Sequence, residues 1–262
     1  MTTILEINHL SKSFGGVLAV NDISFDLNEG ELLAMIGPNG AGKSTCFNLI
    51  NGQLVPDNGS IIIFGKKTIG LKPRHICRLG VGRTFQITST FISMTALENV
   101  QIALLSHHGR TLNVVRKVQN LFMDESIELL ELVGMADQHD RVCGTLAYGD
   151  LKRVELAVTL ASNPKLLLMD EPTAGMGPKE RSRLMELTTE IVRIRRIGVL
   201  FTEHDMEVVF THANRIVVLS QGKLVTQGDP ENVRQNVRVQ EVYLGRKEAV
   251  RLEKIIQAVD SG

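Results

Sequence analysis

Nine consecutive residues, Gly37-Pro38-Asn39-Gly40-Ala41-Gly42-Lys43-Ser44-Thr45, carry the most specific chemistry in the chain. They fit the P-loop pattern G-x-x-x-x-G-K-[ST] at Gly37, Gly42, Lys43 and Ser44. A glycine-rich turn between a strand and a helix lets backbone N–H groups close round a phosphate chain at the helix N-terminus. Lys43 is then placed to reach the β- and γ-phosphates, and the Ser44 hydroxyl to sit on Mg²⁺. The flanks agree, because Glu31–Ile36 reads as a buried strand and Ser44–Ile50 as the start of a helix. A chance glycine turn beside a surface lysine would not come with both. The pattern predicts a nucleoside triphosphate site with residues 37–45 as its cradle.

Four further segments have chemistry that fits such a site. Leu166–Pro172 is an apolar strand ending in Asp170 and Glu171, at the sheet edge where open α/β sheets hold ligands. Asp170 is expected to hold Mg²⁺ through water, and Glu171 to polarise the attacking water. A general base so positioned is worth ~10² to 10⁴ in rate. An acid pair at a strand end is otherwise an everyday solvated feature, and only the phosphate-binding motif raises it above that. The buried run before His204 brings that imidazole to the same edge, to hydrogen-bond the γ-phosphate or the water. His9, His75, His107, His108, His139 and His212 are read as structural. Gly82–Gln86 ends with Gln86, which can touch Mg²⁺ or the water and pull on the helices that follow. Leu146-Ala147-Tyr148-Gly149-Asp150 is a glycine turn ahead of a helix with apolar positions at Leu151, Val154, Ala157, Val158 and Ala161. It reads either as an anion-binding helix N-terminus or as a helix simply capped by Asp150.

The elements that must position these residues alternate along the chain. Short strand-like runs (Ile4–Ile7, Ala19–Leu27) precede residue 30, broken at Phe14-Gly15-Gly16 and at Asn28-Glu29-Gly30, and Ser60–Phe64 adds another. Residues 92–162 turn helical, with Leu121, Ile127, Leu130 and Val133 among charges. Lys165–Met169, Pro178–Arg196 and Gly198–Phe201 then read as strand, helix, strand. A hairpin follows, Arg215–Ser220 and Lys223–Thr226, turned at Gln221-Gly222. This order predicts an α/β fold with a mostly parallel sheet, an antiparallel N-terminal β region and an inserted helical subdomain. Residues 1–245 are expected to form one domain, with the helical part at about 88–162. The tail 246–262 reads either as a helix, with Ala249, Leu252, Ile255 and Ile256 on roughly one face to dock on the body or a partner, or as a frayed terminus.

Composition bounds the function. The chain has 262 residues, 43% of them apolar, and 29 Lys and Arg balance 29 Asp and Glu. That balance argues against a dedicated nucleic-acid binder, whose footprint is a basic excess. The three cysteines, Cys46, Cys77 and Cys143, are scattered and contain no C-x-x-C, which suits a reducing compartment without zinc or disulfides. The start shows no basic and apolar leader, and no run reaches the ~18 to 20 apolar residues of a membrane span. The expectation is a cytosolic protein with, at most, a peripheral link to a membrane.

Taken in order, the P-loop, the Gln86 loop, the glycine turn with its helix, Asp170-Glu171 and His204 resemble the ATP-binding-cassette ATPases over nearly the whole chain. Arg83–Gln86, Leu146–Gly149, Ala174–Pro178, Thr202–Met206 and Glu241–Gly245 resemble more closely the ATPase subunits of branched-chain amino-acid importers. The resemblance implies a RecA-like P-loop NTPase core, ATP with Mg²⁺, and Phe14 stacked on adenine. It also implies a head-to-tail pair of ATPases, each lending Ala147, Tyr148 and Gly149 to the other's nucleotide, and pushing on integral-membrane permeases from the cytoplasmic face. A solute-binding protein outside the membrane would then be an indirect partner. Three positions depart from the family pattern. Ala147 lacks the serine hydroxyl, Asp150 replaces a glutamine and is expected to add negative charge near the triphosphate, and Gly177 stands where an aspartate is usual. The lent turn is thus expected to be the weaker one, which favours a related chain over a second copy as partner. An ATPase for lipid or polysaccharide export is the nearest alternative, and a non-transport cassette ATPase the next. The latter usually carries a long coiled coil or two cassettes, neither seen here. A P-loop GTPase would need Asn-Lys-x-Asp, which is absent.

Overall fold

Strands with alternating faces account for the architecture. In the computed structural model, which describes residues 2–84, 90–109 and 122–244, β1 (Thr3–Phe14) and β2 (Val17–Asn28) form one long antiparallel hairpin. It extends the two short runs seen in the sequence, because Gly15 and Gly16, both at positive φ, supply the tight turn. β4 (Asn58–Ile63) and β5 (Lys66–Lys67) complete a four-stranded antiparallel sheet, ordered β2-β1-β4-β5. The second sheet holds β3 (Leu32–Ile36), β6 (Val81–Thr84), β7 (Leu166–Asp170), β8 (Gly198–Thr202), β9 (Arg215–Ser220) and β10 (Lys223–Gly228). Its order is β10-β9-β3-β8-β7-β6, parallel except for the β9–β10 hairpin.

The parallel strands are buried on both faces, as crossover connections require. Leu33, Met35, Leu168, Leu200 and Val217 face the antiparallel sheet and α1 (Lys43–Ile50), where Phe47 is fully buried. Leu32, Ala34, Leu167, Met169, Val199 and Phe201 point the other way. They pack into a larger core that takes in α3 (Ala96–His107), α4 (Met123–Leu132), α5 (Tyr148–Leu160), α6 (Pro178–Arg195) and α7 (Met206–His212). α2 (Pro73–Arg78) precedes β6, and α8 (Pro230–Gln235) and α9 (Val237–Leu244) follow β10. Helix starts follow local chemistry. Thr95 and Glu98 form a reciprocal capping box on α3, Asp205 caps α7, and Asp229 with Pro230 starts α8. α3, α4 and α5 all lie between β6 and β7 in the chain, as expected of the inserted helices. Gln86, Leu121 and the tail 246–262 lie outside the described residues.

Candidate active site

Three adjacent strands end at one place. β3 runs directly into residues 37–45, β7 stops at Asp170 and β8 at Thr202. The register sets Met35 opposite Thr202 and Thr202 opposite Asp170. The glycine turn closes hard against its surroundings. A Cβ on Gly37 would lie 2.2 Å from the Leu219 carbonyl oxygen, and one on Gly42 2.4 Å from that of Ala19. Gly40 and Gly42 also adopt φ of 79° and 106°, which a side chain resists. The β9–β10 turn braces the loop from behind, where the Gly222 N–H donates to the Ala41 carbonyl at 3.0 Å. Pro38, Asn39, Gly40 and Ser44 line the more open side of the turn, and Thr45 is half-buried in the first turn of α1.

Lys43 is buried at the start of α1, and its Nζ donates to the Gly37 carbonyl at 2.7 Å and the Pro38 carbonyl at 3.3 Å. Burial lowers its pKa below the ordinary lysine value, while the charges of Glu171 and Asp170 work the other way. The ammonium therefore sits near both acids expected at the site. The Thr202 hydroxyl donates to Asp170 Oδ1 at 2.8 Å and accepts from the Glu171 N–H at 3.0 Å. Arg83 Nη2 lies 3.6 Å from Asp170 Oδ2, and Arg83 Nη1 donates to Asn48 at 3.0 Å and Gln53 at 3.1 Å. Glu171 holds a φ of 48°, rare outside glycine. Its Oε1 lies 2.9 Å from His204 Nε2. His204 is 47% exposed, so one face of the imidazole looks outward.

The fold thus gathers Lys43, Asp170, Glu171 and His204, as expected from the sequence. Phe14 stands at the tip of the β1–β2 hairpin, 45% exposed, with Lys12 Nζ 5.6 Å from its ring centre. An open ring there suits stacking rather than core packing. Gln86 falls outside the described residues. Ala147, Tyr148 and Gly149 sit at the start of α5, where their neighbours are Lys152, Gly175 and Glu180 rather than residues 37–45. Ala147 is the N-cap of α5 and no side chain caps it. The expected capping by Asp150 is therefore corrected, because Asp150 lies within the first helical turn and pairs with Arg153. That pairing also corrects the expectation of a bare negative charge, since the guanidinium beside Asp150 offsets it. Gly177 caps α6 and donates its N–H to Glu180 at 3.4 Å.

Sequence reasoning assigned no role to Arg83, Thr173, Thr202 or Glu203. The signal that could have found Thr202 and Glu203 is their place at a strand exit, directly before His204.

Comparison with known proteins points to one family. The family described as ABC transporter matches residues 20–174. The high-affinity branched-chain amino acid transport ATP-binding protein LivG of Salmonella typhimurium is 39% identical over 250 residues, covering 92% of this chain and 98% of that protein. The lipopolysaccharide export system ATP-binding protein LptB of Haemophilus influenzae is 34% identical over 246 residues, covering 94% and 98%. Among solved structures, the ADP conformation of MJ1267, an ATP-binding cassette of an ABC transporter, superposes with a TM-score of 0.84 at 29% identity. It covers 94% of this chain and all of that one.

Proposed function

The chain belongs to the ABC transporter family, and from that premise we propose that it is the ATP-hydrolysing subunit of an importer of branched-chain or other hydrophobic amino acids. The identity to LivG across nearly the full length of both proteins carries the transport reading. LptB, at 34%, supports export of a lipid-linked polysaccharide as the second reading.

In this proposal residues 37–45 wrap the triphosphate with backbone N–H groups, and Lys43 moves from the Gly37 and Pro38 carbonyls to the β- and γ-phosphates. Glu171 orients a water toward the γ-phosphorus and receives its proton as the bond to the β-phosphate oxygen breaks. His204, hydrogen-bonded to Glu171, holds that carboxylate in place and offers a donor to the transferring phosphoryl oxygens. Phe14 would stack on the base, and Gln86 would reach the water or the cation from its loop. Asp170 and Ser44 fit Mg²⁺, because a carboxylate fixed by Thr202 and a hydroxyl on the first turn of α1 are hard oxygen donors. When bound, that ion neutralises charge on the β- and γ-phosphate oxygens.

The partner ATPase would receive Ala147, Tyr148 and Gly149 over its own nucleotide, and a related chain suits that role better than a second copy. The segment at about 88–162 is read as the part that moves against permease subunits on the cytoplasmic face, with a solute-binding protein acting from the other side. Among the described residues no helix is long and apolar enough to cross a membrane.

The test is to purify the full chain with its membrane partners, reconstitute the assembly in vesicles and follow ATP-driven uptake of leucine. Glu171→Gln should bind ATP normally yet lose hydrolysis by ~10² or more, and uptake with it. Hydrolysis without leucine uptake, together with lipid-linked partners, would move the assignment to export.

A further inference from the structure

Glu203 is a buried carboxylate, 4% exposed, directly before His204 in the chain. A carboxylate taken out of water needs hydrogen-bond donors, and this one accepts from three. Its Oε1 accepts from the Thr173 N–H at 2.9 Å and from the Thr173 hydroxyl at 2.6 Å. Its Oε2 accepts from the His204 N–H at 3.1 Å. The two oxygens of one rigid, planar group thus hold two different loops. One is the exit from β7, two residues beyond Glu171; the other is the exit from β8, at His204 itself.

We infer that Glu203 is a positioning residue for hydrolysis, a clamp that sets the spacing between the Glu171 carboxylate and the His204 imidazole. Two observations favour this over a purely structural role. First, a buried ionised group is a poor source of stability, since an apolar group of like volume often does as well. Second, its contacts coincide with the exit segments of the two side chains that meet at 2.9 Å, Glu171 and His204. Glu171 also has an unfavourable φ of 48°, and such a backbone persists only where its surroundings over-determine it. Thr202 fixes the Glu171 N–H from one side, and Glu203 fixes Thr173 from the other. The strained residue is held at both flanks by consecutive residues of the β8 exit.

The inference rests on Glu171 acting as the base, and the experiment separates the two. In the full chain, Glu203→Gln keeps the shape but turns an N–H₂ group toward either Thr173 or His204, both of which are donors. Because misplacing a reacting group by about 1 Å can cost ~10² in rate, kcat should fall by roughly 10- to 100-fold. KM and the Kd for ATP should stay within about twofold, because the phosphate cradle is untouched. Thr173→Ser, which keeps both donors, should turn over close to the parent rate, and Thr173→Val, which loses the hydroxyl, should fall in the same direction as Glu203→Gln. These Thr173 variants also serve if Glu203→Gln does not fold. An unchanged kcat in Glu203→Gln or Thr173→Val, alongside an inactive Glu171→Gln, overturns the clamp alone. Parallel losses in ATP affinity and kcat would also overturn it. Turnover retained by Glu171→Gln would remove the base assignment, and the clamp with it.

Discussion

At the scale of single residues, the site sets function against stability. Lys43 must be charged to hold phosphate, yet burial lowers its pKa, so the folded chain without nucleotide disfavours that charge relative to the unfolded chain. The sign follows from that direction. Below the lowered pKa the charged lysine costs stability in full, and the cost fades as pH rises through that value toward the unfolded one, about 10.4. Lys43→Met removes the titration while keeping most of the stem. Without nucleotide, the variant should therefore melt higher than the parent near neutral pH. The gap should narrow as pH rises above neutral toward the unfolded value of about 10.4. The same variant should lose ATP binding. A melting difference that stays flat across that range would mean that the ionisation of Lys43 is not what burial controls.

At the scale of elements, the turn between β3 and α1 is moulded to its neighbours rather than merely flexible. A methyl group on Gly37 would meet the Leu219 carbonyl at 2.2 Å and Ala41 Cβ at 2.9 Å, both on packed backbone or buried groups. Gly37→Ala should therefore push β3 and β9 apart, lowering stability by about 1–3 kcal/mol and abolishing nucleotide binding. Gly40→Ala meets nothing within 4 Å and carries only the strain of its φ of 79°, so it should be milder on stability. Chemical denaturation of the two variants checks the ranking, and equal losses would contradict it. Motif spacing made the glycine turn, Asp170-Glu171 and His204 legible before any coordinates, and the unbroken apolar runs of β3, β7 and β8, buried at nearly every position, made the sheet legible too. The braces were not legible. That Thr202 bonds Asp170, that Arg83 reaches Asn48, and that Asp150 pairs with Arg153 all depend on which strands and helices become neighbours. The length of the β1–β2 hairpin was understated for a related reason, because its exposed outer residues carry little apolar signal.

At the scale of the whole molecule, the inserted helices leave a groove against the sheet. It has a volume of about 790 Å³ and is lined in part by Arg78 and Cys77 of α2, Arg83 of β6, His107 of α3 and Glu155 of α5. Arg83 connects this groove to Asp170 through a single side chain, so whatever fills it lies one residue from the hydrolytic site. That is where a membrane permease, in the proposed assembly, could feel the nucleotide. The cysteines supply the probe. Cys77 is exposed on the groove wall, whereas Cys46 and Cys143 are buried, and burial pushes the Cys46 thiol up to about 12 and the Cys143 thiol upward too. A thiol reagent should therefore modify one cysteine rapidly in the free folded chain and reach all three only after unfolding, because the thiolate is the reacting form. If the permease seats in the groove, assembly should slow modification of Cys77 by roughly tenfold or more, as expected where water is excluded from an interface core. Cys46 and Cys143 would remain silent in both states. Equal reactivity of Cys77 in the free chain and in the purified assembly would move the permease contact away from this groove.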